Sequence, residues 1–105
     1  MHIRITGIHI DTGEALRTYV QERTEDSITK YFDHPVNGHV TFAREGNLYR
    51  ADCAVHLESG IVFQAQGQKT DIHASFDLAL ERLEKRLRRY KRRLKDHHRN
   101  NTRAE

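Results

Sequence analysis

The last third of the chain constrains its fold most. Ile72, Phe76, Leu80, Leu83, Leu87, Tyr90 and Leu94 recur at spacings of three and four residues, and neither proline nor glycine interrupts the run. Residues so spaced lie on one side of an α-helix. The pattern predicts an amphipathic helix of about seven turns. Asp71 stands where a cap and a negative charge favour the helix start, while Lys91, Arg92, Arg93 and Lys95 crowd the end that favours cations. An apolar stripe of this length needs an apolar surface to lie on, and the preceding residues must supply it.

They do so with strands. Ile3 and Ile5 alternate with Arg4 and Thr6 over His2 to Ile8, the period of a half-buried strand. Asp11 or Thr12 is placed to cap a helix, with Glu14 as the capping-box partner of Asp11. Leu16, Tyr19, Val20, Ile28, Tyr31 and Phe32 fall along one face, weakened by Arg23, Thr24 and Ser27. Pro35 is expected to end that helix near Asp33 and His34, because the residue before proline avoids the helical conformation. Asn37-Gly38 reads as a turn. Val40 and Phe42 then alternate with His39, Thr41 and Ala43 as a second strand. Gly46-Asn47 turns into a third strand, with Cys53, Val55 and Leu57 facing inward, and Ser59-Gly60 into a fourth, Ile61 to Gln68.

The order strand, helix, three strands, helix predicts an α+β fold. It is a two-layer β-α-β-β-β-α sandwich with a four-stranded mixed sheet. The first two strands pair in parallel across the helical crossover, and the later ones pair antiparallel across short turns. Both helices are expected on the face formed by Ile3, Ile5, Val40, Phe42, Cys53, Val55 and Leu57. The other face would show His2, Arg4, Thr41, Arg50, Asp52, His56, Gln64 and Gln66, with no Phe or Tyr. The 105 residues suit one such domain, residues 1–96, followed by a polar tail or linker at 97–105.

Charge is distributed unevenly along this scaffold. Met1 to Leu80 carries seven basic and eleven acidic residues, whereas Glu81 to Glu105 carries eleven basic and four acidic. Arg82, Arg86, Arg89 and Arg93 make a row beside the apolar stripe; Lys85, Arg88 and Arg92 make another, with Lys91 and Lys95 on the far flank. A merely solvated helix would mix signs as Glu–Lys pairs. From Lys85 to Lys95 there are eight cations and no anion, an arrangement that costs tenths of a kcal/mol per like-charged pair. The pattern therefore points to a polyanionic partner: RNA, DNA or an anionic membrane. The membrane option is weakest, because the helix's apolar side is already committed to the sheet.

Other chemistries find little support in the residues. The single cysteine, Cys53, excludes an internal disulfide framework and falls on an inward strand position. His97-His98 is too sparse a set to close around a metal. Gly7, Gly13 and Gly67 lack the spacing of a phosphate-binding loop. No catalytic residues, cofactor, metal or small-molecule substrate are expected, and the chain reads as a non-enzyme. No apolar run resembles a signal peptide or membrane span, so the expected compartment is the cytoplasm.

Several segments resemble one family in a single register over about residues 1–96. They are Ile5-Thr6-Gly7 with Glu14-Ala15-Leu16-Arg17, Lys30-Tyr31-Phe32-Asp33, Ala65-Gln66-Gly67, Asp71-Ile72-His73-Ala74-Ser75-Phe76-Asp77, and Arg82 through Lys91. The chain resembles the bacterial ribosome hibernation-promoting factors, which include the ribosome-associated inhibitor A proteins. The resemblance implies a fold similar to double-stranded RNA-binding domains. It also implies binding to small-subunit ribosomal RNA between head and body, which blocks the messenger and transfer RNA channel and preserves idle ribosomes. Family RNA contacts map to Arg82, Lys85, Arg89 and Arg93, with Arg86, Arg88 and Arg92 as further cations and Lys30 as an added contact. The chain departs from the family at Ile72-His73, where Met-Tyr is usual. Its Gln68-Lys69-Thr70 loop is similar to that of long members, which implies an N-terminal domain whose dimerising C-terminal partner lies outside this sequence. The rival readings are a general double-stranded RNA-binding module and a basic dimerisation or protein-interaction domain.

Overall fold

A computed structural model describes residues 2–32 and 37–104, with side chains as far as residue 94. Its elements are β1 (His2–Gly7), α1 (Gly13–Thr29), β2 (Asn37–Glu45), β3 (Leu48–His56), β4 (Val62–Lys69) and α2 (Ile72–Ala104). The element order is the one the hydrophobic periods predict. The strands form one sheet in the order β1-β2-β3-β4. β1 pairs with β2 in parallel, and β2–β3 and β3–β4 are antiparallel.

Alternation decides what each face meets. Ile3, Val40, Phe42, Ala51, Cys53, Val55 and Ala65 are buried beneath the helices together with Leu16, Val20, Ile28, Phe76, Leu80, Leu83 and Leu87. Leu83 and Leu87 are 0% exposed, so the α2 stripe is occupied by the sheet as its spacing demands. The opposite face carries polar side chains that largely satisfy one another. Arg50 reaches Glu45 at 2.9 Å and Asp52 at 3.1 Å, and the His39 ring nitrogen lies 3.2 Å from the Thr6 hydroxyl and 3.3 Å from that of Thr41.

Several local expectations are corrected. Asn37-Gly38 is not a turn: both residues belong to β2, and Gly38 pairs with Ile3. A side chain at Gly38 would sit 3.4 Å from Cγ1 of Ile3, so the glycine serves close packing between strands. Gly46-Asn47 does turn, with Gly46 at φ +61°, joining Glu45 to Leu48. β1 ends at Gly7 and not Ile8, although the Ile8 N–H still reaches the Phe42 carbonyl at 2.8 Å. Leu57 falls beyond β3, its N–H donating to the Ile61 carbonyl at 2.9 Å. β4 begins at Val62 and not Ile61, and it runs one residue past Gln68 to take in Lys69.

α1 departs furthest from expectation. Thr12 occupies the cap position without a capping bond; its hydroxyl accepts from Arg17 Nε at 3.1 Å, and Asp11 Oδ1 accepts from the Gly13 N–H at 3.1 Å. No capping box through Glu14 forms among the described residues. The helix ends at Thr29, with Tyr31 and Phe32 outside it but packed against the core. The expected proline stop at residues 33–35 lies outside the described residues. Thr24 and Ser27 lie on the buried face, which is why the apolar period of α1 is weak. At the other end of the chain, α2 continues to Ala104, past the point at His97 where a tail was expected, since nothing in the sequence breaks it. The apolar stripe outruns the sheet, however: Leu94 is 47% exposed.

Candidate nucleic-acid interface

β4 is an outer strand, and α2 lies almost directly on it. A Cβ at Gly67 would stand 2.5 Å from the Ser75 carbonyl oxygen and 2.6 Å from the Ala79 nitrogen. Only glycine allows this approach, which sets how the next three turns of α2 pass the strand. The result is a cleft of about 670 Å³, with Arg82, Lys85, Arg86 and Arg89 on the helix side and Gln64, Ala65 and Gln66 on the strand side. A second hollow of about 460 Å³ is lined by Phe63, Arg86, Arg89, Arg92 and Arg93. The two share Arg86 and Arg89, so they form one trench along the free side of β4.

The row Arg82, Arg86, Arg89, Arg93 read from helical spacing is therefore the trench wall. Arg82 is fixed in place, its Nη1 donating to the Gln66 carbonyl at 2.8 Å. Lys85 lies 4.0 Å from Glu81, with both side chains exposed, a pair that water screens to little value. Arg88 lies outside the trench on the exposed helix surface. Lys30 is brought near α2, where its Nζ sits 3.4 Å from Glu84, so an anion must compete with that carboxylate for it. Among the described residues, Lys30 and Lys85 are the candidate cations with a carboxylate within reach. Beyond the trench, Lys91 Nζ lies 5.5 Å over the Phe32 ring, while Phe63 in the outer hollow is met edge-on by Tyr90 at 5.1 Å between ring centres.

Sequence reading missed the strand wall. Gln64 and Gln66 stand on the open sheet face, as their alternation predicts, across from Ala54 and Asp52; what the sequence does not show is that they also border the cleft, and Phe63 is not among the residues it singles out. The signal was present: β1 pairs with β2, and the later turns are short, so β4 must fall on the outside of the sheet.

Elsewhere the chemistry is quiet. Cys53 is buried, and burial, with the Asp52 charge adding to it, pushes its thiol up to about 12, so it stays protonated. Tyr19 donates to Asp77 at 2.6 Å and meets the His73 ring at 5.3 Å. That hydrogen bond raises the Tyr19 pKa above its ordinary value, helped by burial and by the Asp77 charge. His73 thus contributes an aromatic contact at the start of α2. Among the described residues no group of His, Cys, Asp or Glu could hold a metal, and no helix is long and apolar enough to cross a membrane. The side chains of His97 and His98 lie outside the described residues.

A family model described as sigma 54 modulation protein / S30EA ribosomal protein matches residues 3–95. The chain belongs to this family. It is 46% identical to a ribosome hibernation promotion factor of Rhizobium meliloti, over 96% of this chain and 53% of that protein. It is 30% identical to the ribosome hibernation promoting factor of Escherichia coli, over 92% of this chain and 100% of that one. The chain thus spans about half the length of the Rhizobium relative and all of the shorter one. Among solved structures, the N-terminal domain of Thermus thermophilus Protein Y superposes with a TM-score of 0.77 at 26% identity, covering 86% of this chain and 99% of that one. The family's α+β architecture and the one built here from hydrophobic periods are the same.

Proposed function

We propose that residues 1–96 are the ribosome-binding domain of a ribosome hibernation factor. It works in the cytoplasm by occupying the messenger and transfer RNA channel of the small subunit, halting translation while preserving idle ribosomes. The reading rests on one observation above all. α2 has its apolar side buried by the sheet while Arg86, Arg88, Arg89, Arg92 and Arg93 stand along its outer surface with no carboxylate of the described residues within 4 Å. The names of the relatives support the same partner over a general double-stranded RNA-binding module.

The mechanism is occupancy, and no bond is made or broken. Arg82, Lys85, Arg86, Arg89, Arg92 and Arg93 grip phosphates from the trench side, and Arg88 adds a contact around the helix. Lys30 joins once RNA displaces Glu84. Guanidinium forks suit phosphate oxygens because two parallel N–H groups meet two acceptors. Replacing Arg82, Lys85, Arg89 and Arg93 together with Glu is expected to abolish co-sedimentation with ribosomes at physiological salt. Four phosphate contacts also account for roughly three units of slope in log affinity against log salt. Ribosome binding by this variant equal to the parent's at low salt would discard the reading.

A further inference from the structure

The helix cations alone do not say what form of RNA they hold, but the trench does. We infer that the cleft between α2 and the outer side of β4 takes an unpaired strand of ribosomal RNA, and not a duplex. This rests on reading α2 as an RNA-binding element.

Three features carry it. First, the cations that line the cleft, Arg82, Lys85, Arg86, Arg89, Arg92 and Arg93, form one band along α2. Arg82 to Arg93 spans roughly 16 Å along the helix at about 1.5 Å per residue, enough for a few nucleotides of one backbone. A duplex is convex and is gripped by shape across successive grooves, which requires cations set apart on an outer surface. A concave cleft with one band of cations along its helix side matches one strand.

Second, the β4 lip of the cleft carries groups that can meet bases. Gln64 and Gln66 border the cleft at its β4 lip, about 6.6 Å apart along the strand, their exposed side chains alternating with buried Ala65 onto the sheet face away from α2. Each amide both donates and accepts, so it can meet a base edge or a ribose hydroxyl once the phosphates lie on the arginines. Paired bases would have those edges occupied or out of reach. Half-buried Phe63 lines the outer hollow with Arg92 and Arg93, adding a ring of the kind unpaired bases stack on.

Third, the cleft is preorganised. Arg82 is already anchored on the Gln66 carbonyl, and the contact of α2 with Gly67 holds the two walls at fixed separation. Little ordering remains for the RNA to impose.

The test compares a labelled hexauridine strand with a hairpin duplex of equal phosphate number by fluorescence anisotropy at matched salt. The parent chain is expected to bind the single strand at least about tenfold more tightly, a difference of about 1.4 kcal/mol. Two paired substitutions locate the strand. Arg86→Gln, inside the cleft, is expected to lower single-strand affinity about tenfold, and Arg88→Gln, which removes the same charge outside it, only about twofold to threefold. Gln64→Glu with Gln66→Glu, both exposed at the lip of the cleft, should weaken the single strand and leave thermal stability unchanged. On vacant small subunits, which hold no messenger, the parent should shield unpaired ribosomal nucleotides from acylation of the ribose 2′-hydroxyl, and Arg86→Gln should lose that footprint.

Equal or tighter binding of the duplex overturns the inference, as do equal losses from Arg86→Gln and Arg88→Gln, or a footprint confined to paired segments. Failure of the parent chain to sediment with ribosomes is a separate result, and it strikes the functional reading itself.

Discussion

Gly67→Ala tests the packing that shapes the cleft. The new Cβ would stand 2.5 Å from the Ser75 oxygen, 2.6 Å from the Ala79 nitrogen and 2.9 Å from the Leu78 Cβ, where ordinary contact begins near 3.4 Å. Two of the three obstacles are backbone, so no rotamer change relieves them. α2 and β4 must part by about 0.9 Å, the gap between 2.5 and 3.4 Å. Overpacking on this scale costs about 1–3 kcal/mol, and the backbone obstacles place it toward the upper end. Loss of glycine's freedom in the unfolded chain returns about 0.4–1 kcal/mol. The net is a destabilisation of about 2 kcal/mol, which for a domain of this size lowers Tm by about 8–15 °C. Thermal unfolding followed by far-ultraviolet circular dichroism reads it directly. Single-strand RNA affinity should fall as well, since Gln64 and Gln66 move away from the arginines. A Tm within about 2 °C of the parent would refute the claim that the helix rests on the strand here.

Three further outcomes follow from buried or paired groups. Thr24 is 2% exposed, and its hydroxyl has no partner among the described residues; Thr24→Val is expected to raise stability by about 1 kcal/mol in urea denaturation, because the orphaned group costs about that much to bury. Cys53 should resist alkylation by iodoacetamide in the native protein at pH 8 and react fully once unfolded, since its thiol titrates only near about 12. Tyr19→Phe loses the bond to Asp77 and is expected to cost under about 1 kcal/mol at neutral pH. Because folding raises the Tyr19 pKa, that contribution is intact below its unfolded value near 10 and disappears as pH climbs through the folded value. The gap between parent and variant should therefore close only in alkaline buffer.

The sequence is legible where a single period governs the residues. The α2 stripe and its flanking cations follow helical spacing without exception as far as Leu87, because one continuous sheet lies beneath them. Leu94 breaks the rule since the helix extends past the sheet, which a periodic pattern cannot reveal. α1 is obscure for the opposite reason: Thr24 and Ser27 occupy buried positions where an apolar residue is expected. Asn37-Gly38 is misread because the same dipeptide that favours turns also supplies a missing side chain where Ile3 crosses. The cleft depends on neither helix nor strand alone. It arises from strand order and from the closeness that Gly67 permits, both of which are relations between segments distant in the chain.

The arrangement at the outer strand has a consequence for colloidal behaviour. An unpaired β-strand is a template on which a second sheet can assemble. Here Arg82 already holds one of its carbonyl acceptors, and the positive row alongside repels any identical molecule approaching in register. At low ionic strength this repulsion opposes strand-to-strand pairing. Polyanions or concentrated salt neutralise that row, so the condition that satisfies the arginines is also the one in which free copies are most prone to aggregate strand to strand.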